Sequence, residues 1–174
     1  MRERAYLREV GPRDGIQLIK HFLPTECKLD WCRAEADAGV REIEVTSFVP
    51  ASVVPQFADA AEVARGALAI PDVVVSALVP NLKGAQRGFD LGVPMLNFVV
   101  SASELHNLAN VRRSTDDSIA EFRKIIAERD TRGLKGKTRI AGGSQRRLAV
   151  RCKARCQRRV SSKWPGCSHK PVPT

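Results

Sequence analysis

Apolar positions over residues 5–141 follow one repeating pattern. A short run of Val, Ile and Leu comes first, then a few polar or Gly/Pro residues, then a stretch with apolar side chains every three to four positions. The runs predict strands over 6–10, 42–46, 73–78, 96–100 and 138–141. The periodic stretches predict helices near 25–38, 56–68, 82–91 and 116–129. Local signals agree. Thr25 follows Pro24 and opens a run carrying Leu29, Cys32 and Ala36, which Gly39 stops. Ser114 or Thr115 can cap the last helix, with Asp116 and Asp117 in its electropositive first turn.

Strands alternating with helices imply a parallel sheet with right-handed crossovers, which is an α/β fold. A (β/α)₈ barrel and an open doubly wound sheet both satisfy the alternation. The polar residues choose between them. Arg13 and Asp14 follow the first strand, Glu44 and Thr46/Ser47 end the second, Asn81 follows the third, and Ser101, Ser103 and Glu104 follow the fourth. Chemistry-bearing groups at every strand end are how the top face of a barrel is built. The Gly-x-Gly-x-x-Gly loop of a dinucleotide-binding sheet is absent from the sequence. The expected fold is therefore the N-terminal part of a TIM (β/α)₈ barrel, four to five β/α units in 1–143, followed by an irregular basic tail over 144–174. A full barrel needs about 250 residues, more than the 174 of this chain.

Two sets of residues stand out within that frame. Val10-Gly11-Pro12-Arg13-Asp14-Gly15-Ile16-Gln17 sets a guanidinium beside a carboxylate in what reads as a Gly/Pro-framed turn at a strand end. Taken alone, that pair is an ordinary exposed ion pair. Glu44, however, alternates with the core-type residues Ile43 and Val45, and an acid inside a strand is costly unless paired. Arg13 is its expected partner. Asn81 after Pro80 reads as a turn residue. His106 reads as a loop surface residue, His21 as structural, and Cys27 and Cys32 as packing groups of the first helix.

Composition changes this picture little, and charge changes it in one place. Hydrophobic content of 43% and charged content of 28% are those of an ordinary globular domain. No apolar run approaches the roughly 20 residues needed to span a bilayer. With no visible leader, a cytoplasmic location is expected, with no membrane partner. Five cysteines, an odd number without framework spacing, suggest reduced thiols. The net charge of +10 invites a nucleic-acid partner, but residues 131–174 hold 13 Lys/Arg and no acid. Residues 1–130 hold 16 basic and 19 acidic residues, a net of −3, so the body is not basic.

Five motifs occur in order: the octamer above, Ile43-Glu44-Val45-Thr46-Ser47-Phe48-Val49, Val54-Pro55-Gln56, Pro80-Asn81-Leu82-Lys83-Gly84 and Ser101-Ala102-Ser103-Glu104. Together they resemble 3-hydroxy-3-methylglutaryl-CoA lyase, of the DRE-TIM metallolyase superfamily, over about residues 5–143. The resemblance implies cleavage of that thioester, an acyl-CoA of leucine degradation, to acetyl-CoA and acetoacetate with Mg²⁺ or Mn²⁺. By analogy Asp14 is a metal ligand, Arg13 is catalytic and steadies enolate charge, and Glu44 belongs to the supporting catalytic network. Gln17 and Ser47 join Arg13 as substrate-lining candidates. Another acyl-CoA or 2-oxoacid enzyme of the superfamily is the alternative within enzymology. The family completes its metal site with a His-x-His pair and an Asn, and adds a later cysteine. This sequence has only His21, His106 and His169, so a truncated, inactive chain is expected, one that self-associates through open barrel edges.

The tail has its own reading. Back-translating Ser144 to Ala154 with codons chosen among those allowed and shifting one nucleotide gives Ser-Thr-Ala-Phe-Gly-Cys-Thr-Leu-Gln-Gly, which contains a segment like the Thr-Ala-Phe-Gly-Cys expected of relatives here. The expectation this raises is a frameshift near Gly143, with 144–174 an out-of-frame tail. The other-class reading, a nucleic-acid or zinc module, is the weaker. Cys152, Cys156, Cys167 and His169 are spaced C-x₃-C-x₁₀-C-x-H, which matches no structural zinc pattern. Basic side chains with only Trp164 for stacking make a non-specific polycation rather than a nucleic-acid site.

Overall fold

The computed structural model describes residues 7–145. The basic tail read from the sequence lies, beyond Gln145, outside the described residues. Five strands form one sheet: β1 (Arg8–Glu9), β2 (Glu42–Ser47), β3 (Val74–Leu78), β4 (Met95–Ser101) and β5 (Arg139–Gln145). All neighbours run parallel and the spatial order is the chain order. A doubly wound sheet would reverse direction at a switch point. Sequential order without reversal is a barrel wall, here five strands wide.

Helices α1 (Gly11–Asp14), α2 (Thr25–Asp37), α3 (Ala60–Leu68), α4 (Leu82–Asp90), α5 (Glu104–Val111) and α6 (Thr115–Thr131) connect the strands. The sheet's convex face carries the core. Ile43 and Val45 of β2, Val75 and Ala77 of β3, and Leu96 and Phe98 of β4 are buried with Leu29, Cys32, Val63, Ala67, Phe89 and Ile125 from the helices. This one-sided packing explains the β-branched runs: alternate strand residues meet helices, and the others line the concave face. Phe98 stacks on Phe122 of α6 with ring centroids 5.5 Å apart. Gly88 of α4 lies so close to β4 that a β-carbon there would meet a Leu96 methyl at 2.6 Å. Gly39, at φ +94°, turns the chain from α2 toward β2 in the left-handed region that glycine enters freely.

Several elements depart from the expectation. β1 is two residues long within the described part, and β5 runs to Gln145, two residues past 143. The expected helix over 56–68 is a 3₁₀ turn (Pro55–Phe57) followed by α3. An additional helix, α5, occupies what read as a loop. Ser103 caps it by accepting the His106 N–H, and Arg112 ends it in the left-handed conformation. Asn81 caps α4 by accepting the Gly84 N–H at 2.9 Å, in keeping with its reading as a turn residue.

Cys32 packs as expected, with no exposed surface. Burial, reinforced by the Glu35 carboxylate, pushes its thiol up to about 12. The fold favours the neutral Cys32 thiol; its contribution is complete below the unfolded value of 9.0 and is lost as pH rises toward about 12. Iodoacetamide at pH 8 should therefore leave Cys32 unmodified in native protein and alkylate it in urea, as read by peptide mass spectrometry. Rapid native alkylation would contradict the packing of α2 against the sheet.

Candidate functional site

The octamer does not form the expected turn. Gly11–Asp14 is a single α-helical turn that runs on into a 3₁₀ helix (Gly15–Leu18). Pro12 suits the first turn because its fixed φ is helical and its missing N–H has no partner to lose. The Val10 carbonyl accepts the N–H groups of Arg13 at 3.1 Å and Asp14 at 2.7 Å. Adjacent residues on a helix point about 100° apart. The side chain of Arg13 is accordingly 16% exposed, and that of Asp14 65%.

Arg13 reaches Glu44, as the sequence implied. Glu44 lies on β2 with its side chain 4% exposed, and its Oε1 accepts from the Arg13 Nε. Its Oε2 accepts from the Asn97 amide on β4, two strands away. The Asn97 Oδ1 in turn accepts from Arg8 Nη1 at 3.3 Å, and the Arg8 Nε pairs with Glu42. A polar chain, Glu42–Arg8–Asn97–Glu44–Arg13–Asp14, thus crosses the concave face of the sheet. Arg13 Nη1 donates to Asp14 Oδ1 at 2.8 Å, and Gln17 donates to the same oxygen at 3.3 Å. Arg13 Nη2 has no hydrogen-bond partner among the described residues. With Nε and Nη1 engaged, the Nη2 donors are the part of this guanidinium left open.

The remaining candidates are placed as follows. Gln17 is exposed beside Asp14. Ser47 is fully buried; its hydroxyl donates to the Leu78 carbonyl at 3.4 Å and accepts the Val49 N–H at 3.3 Å. His106 lies on α5 with Nδ1 2.9 Å from the Ser101 hydroxyl, and is half-buried rather than on a loop surface. Glu104 accepts the Thr115 N–H at 2.9 Å, and hydrogen bonding to Thr115 holds its carboxyl below the usual range. His21 is exposed, and its carbonyl accepts from Gln56.

Sequence reasoning missed Asn97, Arg8 and Gln56. An amide between Leu96 and Phe98 in an apolar strand was the available signal for the first. Gln56, 4% exposed, ties down the segment after the octamer. Its amide donates to the Ile19 and His21 carbonyls and accepts the Leu23 N–H at 3.0 Å. The buried Lys28 ammonium anchors the base of this clamp, donating at 2.6 Å both to the Gln56 carbonyl and to Asp59, beneath the Phe22 ring. Between this segment and Val53–Pro55 lies a cavity of about 220 Å³ with Gln17 in its wall. That is below the ~300 Å³ of a typical small-ligand pocket.

A divalent cation of the Mg²⁺ type takes about six oxygen ligands in fixed geometry. Glu44 already spends both oxygens on Arg13 and Asn97. Among the described residues no group of three or more His, Cys, Asp or Glu could hold a metal ion. Asp14 supplies a single carboxylate, so these residues do not by themselves fit a metal.

The sequential parallel wall is the first part of a (β/α)₈ barrel. Residues 4–158 match the family model described as HMGL-like, and the chain belongs to that family. It is 40% identical over 119 residues to the cytoplasmic 3-hydroxy-3-methylglutaryl-CoA lyase of Mus musculus, covering 68% of this chain and 35% of that protein. It is 35% identical over 123 residues to hydroxymethylglutaryl-CoA lyase YngG of Bacillus subtilis, covering 71% and 41%. The HMG-CoA lyase of Acinetobacter baumannii, solved with coenzyme A and 3-methylmalate, superposes with a TM-score of 0.72 at 37% identity over 80% of this chain and 44% of that one. The chain thus spans about two fifths of the length of these relatives.

Glu44→Leu removes the shared acceptor of two buried donors and should destabilise the protein by roughly 3 kcal/mol in urea unfolding. Asp14→Asn, at an exposed site, should cost less than about 1 kcal/mol. Equal effects would show that Glu44 is not the centre of the network.

Proposed function

We propose that this chain carries the first half of the active site of a 3-hydroxy-3-methylglutaryl-CoA lyase, and that the reaction requires groups beyond it. The observation that carries the reading is Arg13, held by buried Glu44 of β2, with its Nη2 donors unpartnered among the described residues. In the reaction, the C3 hydroxyl loses its proton and the C2–C3 bond breaks. C3 becomes the ketone of acetoacetate, and the electron pair moves onto the thioester as an enolate. Protonation of that enolate at carbon gives acetyl-CoA. Arg13 is the group suited to the enolate oxygen, because a pre-oriented cation stabilises charge without reorganising. Gln17 stands as a substrate-lining residue and Asp14 as a single metal ligand, whereas Ser47, fully buried against Leu78 and Val49, lines the substrate site only if the rim opens around it. Mg²⁺ or Mn²⁺ does not fit the described residues alone.

Support comes from the family membership and from relatives named for this activity. Equilibrium dialysis with 3-hydroxy-3-methylglutaryl-CoA should show binding that Arg13→Ala weakens about tenfold. An unchanged affinity would remove Arg13 from the site. With Mn²⁺ present the chain should release no acetoacetate above background; clear turnover would overturn the half-site reading.

The cytoplasm is the proposed location; among the described residues no helix is long and apolar enough to cross a membrane. Self-association follows from the same half-site reading, because among the described residues β1 and β5 each have a single neighbour in the sheet. Light scattering should report dimers or larger species, and a stable monomer would contradict this.

A further inference from the structure

Glu44 can orient Arg13 only if its own carboxylate plane is fixed. A buried carboxylate with one donor leaves the other oxygen unpaired and free to rotate out of line. Asn97, 6% exposed on β4, supplies that second donor. Its amide has one acceptable orientation. The Oδ1 faces a cation, Arg8 Nη1 at 3.3 Å, and the Nδ2 faces the Glu44 carboxylate. A flip would set donor against donor and oxygen against oxygen. Arg8 is held in turn by Glu42. Arg8 therefore donates both to Glu42 and to Asn97, and Glu44 accepts from both Asn97 and Arg13.

We propose that Asn97 is a positioning residue of the anion-binding site: with Arg8 behind it, it locks the Glu44 carboxylate and thereby aims the Arg13 guanidinium. This rests on the reading of Arg13 as the substrate-charge group. Leucine at 97 would keep the branched shape, at greater volume, and remove both hydrogen bonds. Aspartate would keep the acceptor for Arg8 and set a second carboxylate against Glu44.

The test is phenylglyoxal modification of the full-length chain, read arginine by arginine by peptide mass spectrometry. Arg129 on α6, with a side chain 17% exposed against 16% for Arg13, is the internal reference for global opening. Asn97→Leu and Asn97→Asp should each speed modification of Arg13 relative to Arg129 by roughly threefold or more. Arg8→Gln, at a side chain already 36% exposed, should shift the ratio the same way by less. An unchanged ratio in these variants would overturn the proposal, and so would equal acceleration of both arginines, which is loss of fold rather than of aim. A separate arm tests the underlying reading. Adding 3-hydroxy-3-methylglutaryl-CoA to the unsubstituted chain should slow Arg13 modification. Failure there with the variant ratios still shifted would sink the substrate role and leave the positioning role standing.

Discussion

The buried carboxylate of Glu44 is the constraint around which the concave face is arranged. A charged group in a β-strand core is tolerated only when both oxygens are satisfied. Here one donor comes from the helical turn after β1 and the other from β4. The two requirements fix three elements relative to one another. They seat the turn on the end of the sheet, set the spacing of β2 and β4 across β3, and decide which of two neighbouring charged residues points inward. Arg13 faces in because Glu44 needs it, and Asp14, next along the turn, is left toward solvent.

What could be read in advance follows from how local each signal is. The parallel strands and most helices are written in runs and periods of a few residues, and they formed close to where expected. The Arg13–Glu44 pair was readable because an acid between Ile43 and Val45 has to find a cation, and a strand-end arginine was at hand. Asn97 was not, because its partners come from β1 and β2, and a neutral amide in a strand makes no demand that sequence alone reveals. The helix α5 was missed for another reason. It is eight residues long, with its cap Ser103 inside a motif already assigned to the rim. The octamer was misread as a turn because Gly-Pro suits a turn and a helix start equally well.

Around this centre the molecule separates two tasks. The convex face is apolar and joins sheet to helices through ordinary burial. The concave face is built from ion pairs and amide hydrogen bonds, which give orientation more than cohesion. A second polar cluster, Lys28 with Gln56, does for the segment after the octamer what Asn97 does for Glu44: buried side chains hold backbone that would otherwise be loose at the rim.

Sequential strand order gives the wall a direction in time as well as in space. Each β/α unit docks on the one made just before it, so neighbour contacts can form as the chain lengthens. The bonds through Asn97 are different, joining residues 53 and 89 positions apart. They cannot close until the fourth strand is in place. The aiming of Arg13 is therefore a late event, a clasp that fastens after the wall is standing, and a nascent chain shorter than about 97 residues carries its signature motif without the geometry that gives it meaning.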